Sequence, residues 1–150
     1  MDASVTVAMN APAEQIWELV ADVRNTGRFS PEVKEAEWLD GATGPALGAT
    51  FRGHGKRNEI GPVYWTTCRV TACESGREFG FEVLLGDRAV NNWHYRFTPT
   101  AGGTDVTESF RMNEGLFTTL FGLFGGQLRR RRNVRDGRKT LERIKAVVDA

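Results

Sequence analysis

Glu108 is the acidic residue whose place in the sequence most clearly suggests chemistry. Apolar and polar residues alternate over 104–112, and Glu108 falls in phase with Val106 and Phe110. A carboxylate on an apolar strand face must be paired, hydrogen-bonded or neutralised. Glu108 could therefore bind a ligand hydroxyl or act as a general base, or it could form a structural ion pair, for example with Arg130.

Other polar residues could assist such a site. Asn91 shares a predicted strand face with Trp93 and Tyr95, where it could orient a polar ligand group. Its structural alternative is to cap a strand end near the turn at Gly86. Arg130 could anchor an anion or a carbonyl group, or its side chain could extend along the surface to water.

Aromatic residues recur at strand spacing and could form an apolar wall. Phe51, Phe81, Trp93 and Tyr95 each fall in the apolar phase of their segments. Such residues form either a filled core or the lining of a ligand site. The sequence leaves both alternatives open.

Several kinds of chemistry are not indicated. His54 and His94 fall on the polar phase of their strands, and Cys68 and Cys73 do not form a zinc pattern with them. The sequence lacks a nucleophile elbow, a phosphate-binding loop and a His-Glu-x-x-His motif. We therefore expect no metal site and no cofactor.

The composition is that of one globular domain over 1–150. Forty per cent of the 150 residues are hydrophobic and the formal net charge is only +1, so no overall field attracts nucleic acid. No apolar run has the length of a membrane span. The N-terminus lacks a signal pattern, so the sequence predicts a cytoplasmic protein.

Charge is nevertheless uneven. Residues 129–150 contain nine basic and three acidic residues, including the run Arg129–Arg132. A basic helix could make weak contact with an anionic membrane surface or a regulatory partner. The simpler interpretation is a solvated helix end. No aromatic residue interrupts this basic segment, so nucleic-acid binding is not expected.

The element pattern predicts a sheet followed by a helix. Val5 and Val7 indicate a first strand, and Asn10 and Pro12 indicate a helix start with Asn10 as its cap. Breakers at Asn25, Gly27 and Pro31 allow a second short helix. Period-two segments separated by short turns then predict an antiparallel meander of strands over 33–39, 49–57, 63–73, 78–85, 89–98 and 104–112.

The C-terminal part changes to helical spacing. Its apolar stripe consists of Leu116, Leu120, Leu123, Val134, Leu141, Ile144 and Val148. Gln127, Arg130 and Gly137 fall on the same stripe, where a filled core would hold large apolar residues. This favours a cavity between sheet and helix, although rotation of these residues into solvent is the alternative. The full set of candidate ligand-binding residues is Phe51, Phe81, Asn91, Trp93, Tyr95, Glu108, Phe110, Gln127 and Arg130.

The chain resembles the START-like (SRPBCC) superfamily, which includes the polyketide cyclase/dehydrase and lipid-transport group. The resemblance rests on the segments 10–17, 22–25 and 30–31, on Trp93-His94-Tyr95, on 102–109 and on 140–145. It implies an α+β helix-grip fold of the birch-pollen-allergen type. That fold has a seven-stranded antiparallel curved sheet around a long C-terminal helix, with two short helices between strands 1 and 2. It also implies a hydrophobic cavity between the sheet and the helix.

Two main functions follow as hypotheses. The first is binding or transport of a small hydrophobic ligand such as a lipid, a fatty acid or a polyketide-like aromatic. The second is a polyketide aromatase/cyclase or dehydratase activity that uses Glu108 with Arg130, Asn91 and Tyr95. The sequence allows a monomer or a homodimer.

Overall fold

The computed structural model describes residues 2–31, 33–55, 65–112 and 126–150, except for the side chains of residues 2 and 126–129. Strand β1 (Asp2–Met9) leads to helix α1 (Ala13–Ala21), a 3₁₀ turn (Val23–Asn25) and the short helix α2 (Thr26–Phe29). Six strands follow, and then helix α3 (Gly126–Val148). The six strands are β2 (Val33–Trp38), β3 (Thr50–Gly55), β4 (Trp65–Glu74), β5 (Glu78–Leu85), β6 (Arg88–Thr100) and β7 (Gly103–Met112).

The seven strands form one antiparallel sheet in the order β1-β7-β6-β5-β4-β3-β2. Short turns connect the strands from β4 to β7, which explains why consecutive strands are neighbours. The predicted meander and the predicted α+β helix-grip architecture are confirmed, with β1 added beside β7.

One face of the sheet is apolar and the other is polar. The burial along β7 alternates strictly, with Thr104, Val106, Glu108 and Phe110 buried between less buried neighbours. Phe79, Phe97, Val70 and Phe51 continue the buried face across the sheet. The sheet therefore has one dry face, as the alternation predicted.

Helix α1 does not begin as predicted. Its N-cap is Pro12, without a side-chain capping bond, whereas the backbone N–H of Asn10 donates to Asp149 Oδ1 at 2.8 Å. The prediction of Asn10 as cap was wrong because the chain is still crossing from β1 at that point and meets the end of α3. The predicted apolar side of α1 is confirmed by buried Ile16 and Trp17.

Helix α3 covers the dry face and packs mainly against β1. Leu141, Ile144 and Val148 are buried and Val134 is partly buried, which confirms the described part of the apolar stripe. Leu116, Leu120 and Leu123 lie outside the described residues. Within the described ranges, no helix is long and apolar enough to cross a membrane.

Candidate functional site

Glu108 lies on the dry face of β7, as its phase in the sequence predicted. Its relative exposure is 5%, and its neighbours on that face are Val106 and Phe110. Its cross-strand partners are Val5 of β1 and Tyr95 of β6. A central strand therefore holds this carboxylate in an otherwise apolar wall.

Tyr95 is the cross-strand partner of Glu108 on this apolar face. The two residues are directly opposite each other in the β6–β7 ladder, and the Tyr95 hydroxyl donates to the Glu108 carboxylate. Burial of the hydroxyl raises the pKa of Tyr95 well above its ordinary value, and the negative charge of Glu108 and this hydrogen bond raise it further. The pair therefore presents a protonated phenol and a carboxylate at one point of the apolar face.

Gly137 of α3 lies directly above this pair. A Cβ atom added at Gly137 would lie 2.8 Å from Glu108 Oε1, which is too close for an ordinary contact. The absence of a side chain thus lets the helix backbone approach the carboxylate. Sequence analysis placed Gly137 in the apolar stripe as a sign of a cavity, whereas here the glycine makes room for Glu108.

The space beside the pair is narrow. A crevice of about 10 Å³ lies between sheet and helix, roughly the room for one water molecule. Its lining residues are Ala3, Ser4, Val5, Trp93, Glu108, Phe110, Asn133 and Val134. A cavity of ligand size between sheet and helix therefore stays a prediction.

The candidate aromatic residues form two groups. Trp93 and Phe110 are in contact, with ring centroids 4.6 Å apart. Phe51 and Phe81 meet edge-to-face at 5.2 Å. Only the first group lines the crevice at Glu108, while the second belongs to the core under β3 and β5.

The polar candidates are distributed differently. Asn91 lies within β6, opposite Val83 and Met112, rather than at a strand end. Its own strand β6 begins three residues earlier, at Arg88, while its partner Met112 is the last residue of β7. Both roles predicted for Asn91 stay predictions. Arg130 is an exposed residue near the start of α3, and the side chain of Gln127 lies outside the described residues.

A larger open groove of about 730 Å³ lies at the same end of the sheet. Its described lining residues are Ala3, Ser4, Asn92, His94, Ser109, Phe110, Arg111 and Arg130. Ser4, Asn92, His94, Ser109 and Arg111 belong to the polar face by alternation, and sequence analysis did not single out four of them. The sequence pattern could have identified them, because strand pairing brings polar-face residues of neighbouring strands together in the same way as apolar-face residues.

The histidines are surface residues, as predicted. His54 Nδ1 lies 3.2 Å from Glu35 Oε1, and its ring stacks on Trp65 with centroids 4.4 Å apart. His94 Nε2 lies 3.0 Å from Glu78 Oε2. Among the described residues, no group of three or more His, Cys, Asp or Glu side chains could hold a metal ion.

Solved structures with the same fold are numerous, although no curated protein matches this sequence. A Polyketide_cyc-like protein from Corynebacterium glutamicum is 27% identical; the match covers 97% of this chain and 90% of that protein, with a TM-score of 0.67. A protein from Deinococcus radiodurans is 19% identical over 99% of this chain and 98% of its own, with a TM-score of 0.72.

A third similar structure is StfQ, a di-domain ARO/CYC protein of the steffimycin biosynthetic pathway. It is 15% identical to this chain with a TM-score of 0.77. The match covers 98% of this chain but 50% of StfQ, so this chain corresponds in fold to half of the di-domain protein.

The family comparison agrees with the fold. A family model described as polyketide cyclase / dehydrase and lipid transport matches residues 1–149. This match covers nearly the whole chain, including the β7 strand that carries Glu108 and the helix that covers it. The chain therefore belongs to the polyketide cyclase/dehydrase and lipid-transport family, within the START-like superfamily.

Proposed function

We propose that this protein binds a small, mainly apolar molecule between the curved sheet and helix α3. The observation that carries the proposal is the Glu108–Tyr95 pair, a carboxylate and a phenol joined on an apolar sheet face. Burying a carboxylate costs on the order of several kcal/mol of folding free energy unless neighbouring groups compensate its charge. An apolar wall with one donor and one acceptor at a fixed point is the usual composition of a ligand site.

The lining of the crevice supports an apolar or aromatic ligand. Trp93 and Phe110 form one wall, and Ala3, Val5 and Val134 contribute small or aliphatic surfaces. A ligand body that contacts these side chains leaves the Glu108–Tyr95 pair to bind a hydroxyl or carbonyl group. Burial of about 300 Å² of apolar ligand surface would contribute roughly 7 kcal/mol before the costs of association.

A ligand of ordinary size could enter the space between sheet and helix only if this space widened. A ligand site typically has about 300–1,000 Å³, far more than the crevice provides. The crevice and the open groove share Ala3, Ser4 and Phe110, so the crevice leads toward solvent where α3 begins. We infer that the first turns of α3 stand farther from β1 when the ligand is bound.

Binding is tested by titration with a fluorescent fatty-acid analogue and displacement by unlabelled fatty acids and polycyclic aromatics. We expect saturable binding that weakens about tenfold in Glu108→Gln and in Tyr95→Phe, since the first replaces a charged acceptor by a weaker neutral one and the second removes a hydroxyl. Asp105→Asn is the matched control, because Asp105 lies on the same strand but on its polar face. Absence of saturable binding by the unaltered protein would contradict the proposal.

A cyclase or dehydratase reaction is the second candidate, and the same pair favours it. The Glu108 carboxylate can accept a proton from a carbon between two carbonyl groups. The single hydroxyl proton of Tyr95 then turns from Glu108 to the developing enolate oxygen and donates a hydrogen bond to it. This donor is protonated at neutral pH, as any tyrosine is, and the raised pKa of Tyr95 extends its protonated range to higher pH. The fold shared with StfQ is compatible with such chemistry but does not identify it.

Turnover is tested with a poly-β-keto substrate. The catalytic proposal expects cyclised or dehydrated product with the unaltered protein. It also expects product to vanish in Glu108→Gln while the circular dichroism spectrum and the thermal transition stay unchanged. Equal rates in Glu108→Gln and the unaltered protein would exclude Glu108 as the base.

A further inference from the structure

The open groove of about 730 Å³ carries a different chemistry from the buried crevice. Most of its lining side chains belong to the polar face of the sheet. Ser4, Ser109 and His94 are successive partners across β1, β7 and β6, and Arg111 pairs with Asn92 in the next row. Three hydrogen-bonded strands thus hold these polar groups at fixed spacings.

The described lining is cationic. It contains the guanidinium groups of Arg111 and Arg130, two hydroxyl groups, one amide and one imidazole, and no carboxylate among the described lining residues. Next to the groove, Glu78 Oε2 lies 3.0 Å from His94 Nε2, and Asp2 and Glu82 are the cross-strand partners of Arg111 and Asn92. The two cations come from different elements, one from β7 and one from the first turns of α3.

Both arginines also make contacts within the protein. A guanidinium group has five N–H donors, so it can hold an internal partner and still bind an oxyanion. Internal contacts restrict the side chain, which lowers the entropy lost on binding. Serine hydroxyls and the Asn92 amide are suitable donors to the remaining anion oxygens.

We propose that this groove binds a small organic anion whose carboxylate or phosphate group lies between Arg111 and Arg130. The volume of the groove is in the range of small-molecule sites, which favours an organic anion over a bare ion. The proposal does not depend on ligand binding at Glu108, since the polar strand residues of the groove lie on the opposite face of the sheet and Arg130 comes from the start of α3.

The experiment titrates phenyl phosphate, benzoate and neutral benzyl alcohol while following backbone amide signals of Ser4, Asn92 and Ser109 by NMR. We expect saturable shifts with at least one anion, and the stronger anion identifies phosphate or carboxylate as the preferred group. Arg111→Gln and Arg130→Gln should each weaken binding about fivefold or more, and added salt should weaken it further.

Three comparisons make the result specific. Arg96→Gln is the matched control, because Arg96 is exposed on the same face of β6 but does not line the groove. The anion affinity of this variant should stay within about twofold of that of the unaltered protein. Ser109→Ala provides a milder second variant, expected to weaken binding. Glu108→Gln should leave anion affinity within about twofold even though it weakens binding of the apolar ligand about tenfold.

Either of two outcomes would overturn the proposal. One is the absence of saturable shifts with both anions. The other is equal binding of benzyl alcohol, or equal weakening by Arg96→Gln and Arg111→Gln.

Discussion

The proton shared between Tyr95 and Glu108 has a measurable consequence at high pH. Because burial and the Glu108 charge raise the pKa of Tyr95, the folded protein keeps this phenol neutral above pH 10, where an unfolded tyrosine ionises. The contribution to stability is therefore complete below about pH 10 and is lost as the pH rises above it. Unfolding by urea at a series of pH values should show this decline.

Substitution of Glu108 separates the two causes of the shift. In Glu108→Gln the charge is gone but the burial remains, so we expect the pKa of Tyr95 to fall while staying above that of free tyrosine. Ultraviolet difference titration measures this, with Tyr95→Phe used to assign the signal. An unchanged Tyr95 titration in Glu108→Gln would show that the two groups do not interact.

Gly137 offers a second test at this site. An alanine Cβ would lie 2.8 Å from Glu108 Oε1, so the carboxylate or the helix must shift. We expect Gly137→Ala to lower the free energy of unfolding by about 1 kcal/mol, although alanine is the better helix former. Chemical denaturation measures the change.

The sign should reverse when the carboxylate is absent. In a Glu108→Ala background the steric conflict is gone, so Gly137→Ala should stabilise the protein by about 1 kcal/mol through helix propensity. Equal effects of Gly137→Ala in both backgrounds would show that the close approach of Gly137 and Glu108 does not determine how alanine at this position changes stability.

Some of this site could be predicted from sequence and some could not. Strand alternation placed Glu108 on the dry face because its period is two and β7 is regular along its length. The pair with Tyr95 required the β6–β7 register, and the contact with Gly137 required the position of α3, neither of which a single sequence encodes locally. Cys73 shows where alternation fails, because a strict period of two would place residues five apart, such as Cys68 and Cys73, on opposite faces. The bulge between Val70 and Ala72 instead returns Cys73 to the core side with Cys68.

At the start of helix α1, the capping residue that the sequence predicts differs from the one in the structure. If Asn10 capped the helix, Asn10→Ala would cost about 1 kcal/mol. Because the N-cap is Pro12 and only the backbone of Asn10 bonds to Asp149, we expect Asn10→Ala to change the free energy of unfolding by less than about 0.5 kcal/mol. Asp149→Ala should destabilise the protein more than Asn10→Ala, as urea unfolding would show.

Helix α3 contributes stability through its buried stripe. Leu141 is fully buried against the core, so Leu141→Ala should lower the free energy of unfolding by about 2–5 kcal/mol. Val147 is the control on the same helix, because it is 43% exposed and should cost about 0.5 kcal/mol or less when changed to alanine. Similar losses from both variants would mean that the helix does not pack as described.

These element-level results explain which predictions succeeded. Spacings of three and four predicted the buried face of α3, and short turns predicted neighbouring antiparallel strands, because both follow from local geometry. The cap of α1 failed because a tertiary contact with Asp149 determines the backbone at Asn10.

In the whole molecule, the basic run Arg129–Arg132 and the two candidate binding sites lie toward the end of the sheet where helix α3 begins. Residues 129–150 contain nine basic and three acidic residues, so the rest of the chain is net acidic, and α3 begins at the end of the sheet where crevice and groove meet. The other end of α3 meets the turn after β1 through Asp149. An apolar wall on one face and a cationic groove on the other thus share a single edge, formed by the first residues of β1.

Cys68 provides a probe of the cooperativity of this whole structure. Its side chain is buried in the core, and burial raises the pKa of its thiol to about 12, so it cannot react until the surrounding structure opens. In Cys73→Ser, labelling of Cys68 by a thiol reagent should require an opening free energy equal to that of global unfolding by urea. In Cys68→Ser, the partly buried Cys73 should react much faster.

The comparison decides whether the core around β4 opens only when the whole domain unfolds. If Cys68 reacts through a smaller opening than global unfolding, the part of the sheet that contains β3, β4 and β5 opens while the rest of the structure persists. Equality of the two free energies would instead mean that this part of the sheet is one cooperative unit with the rest of the domain, because no partial opening then exposes the Cys68 thiol to the reagent.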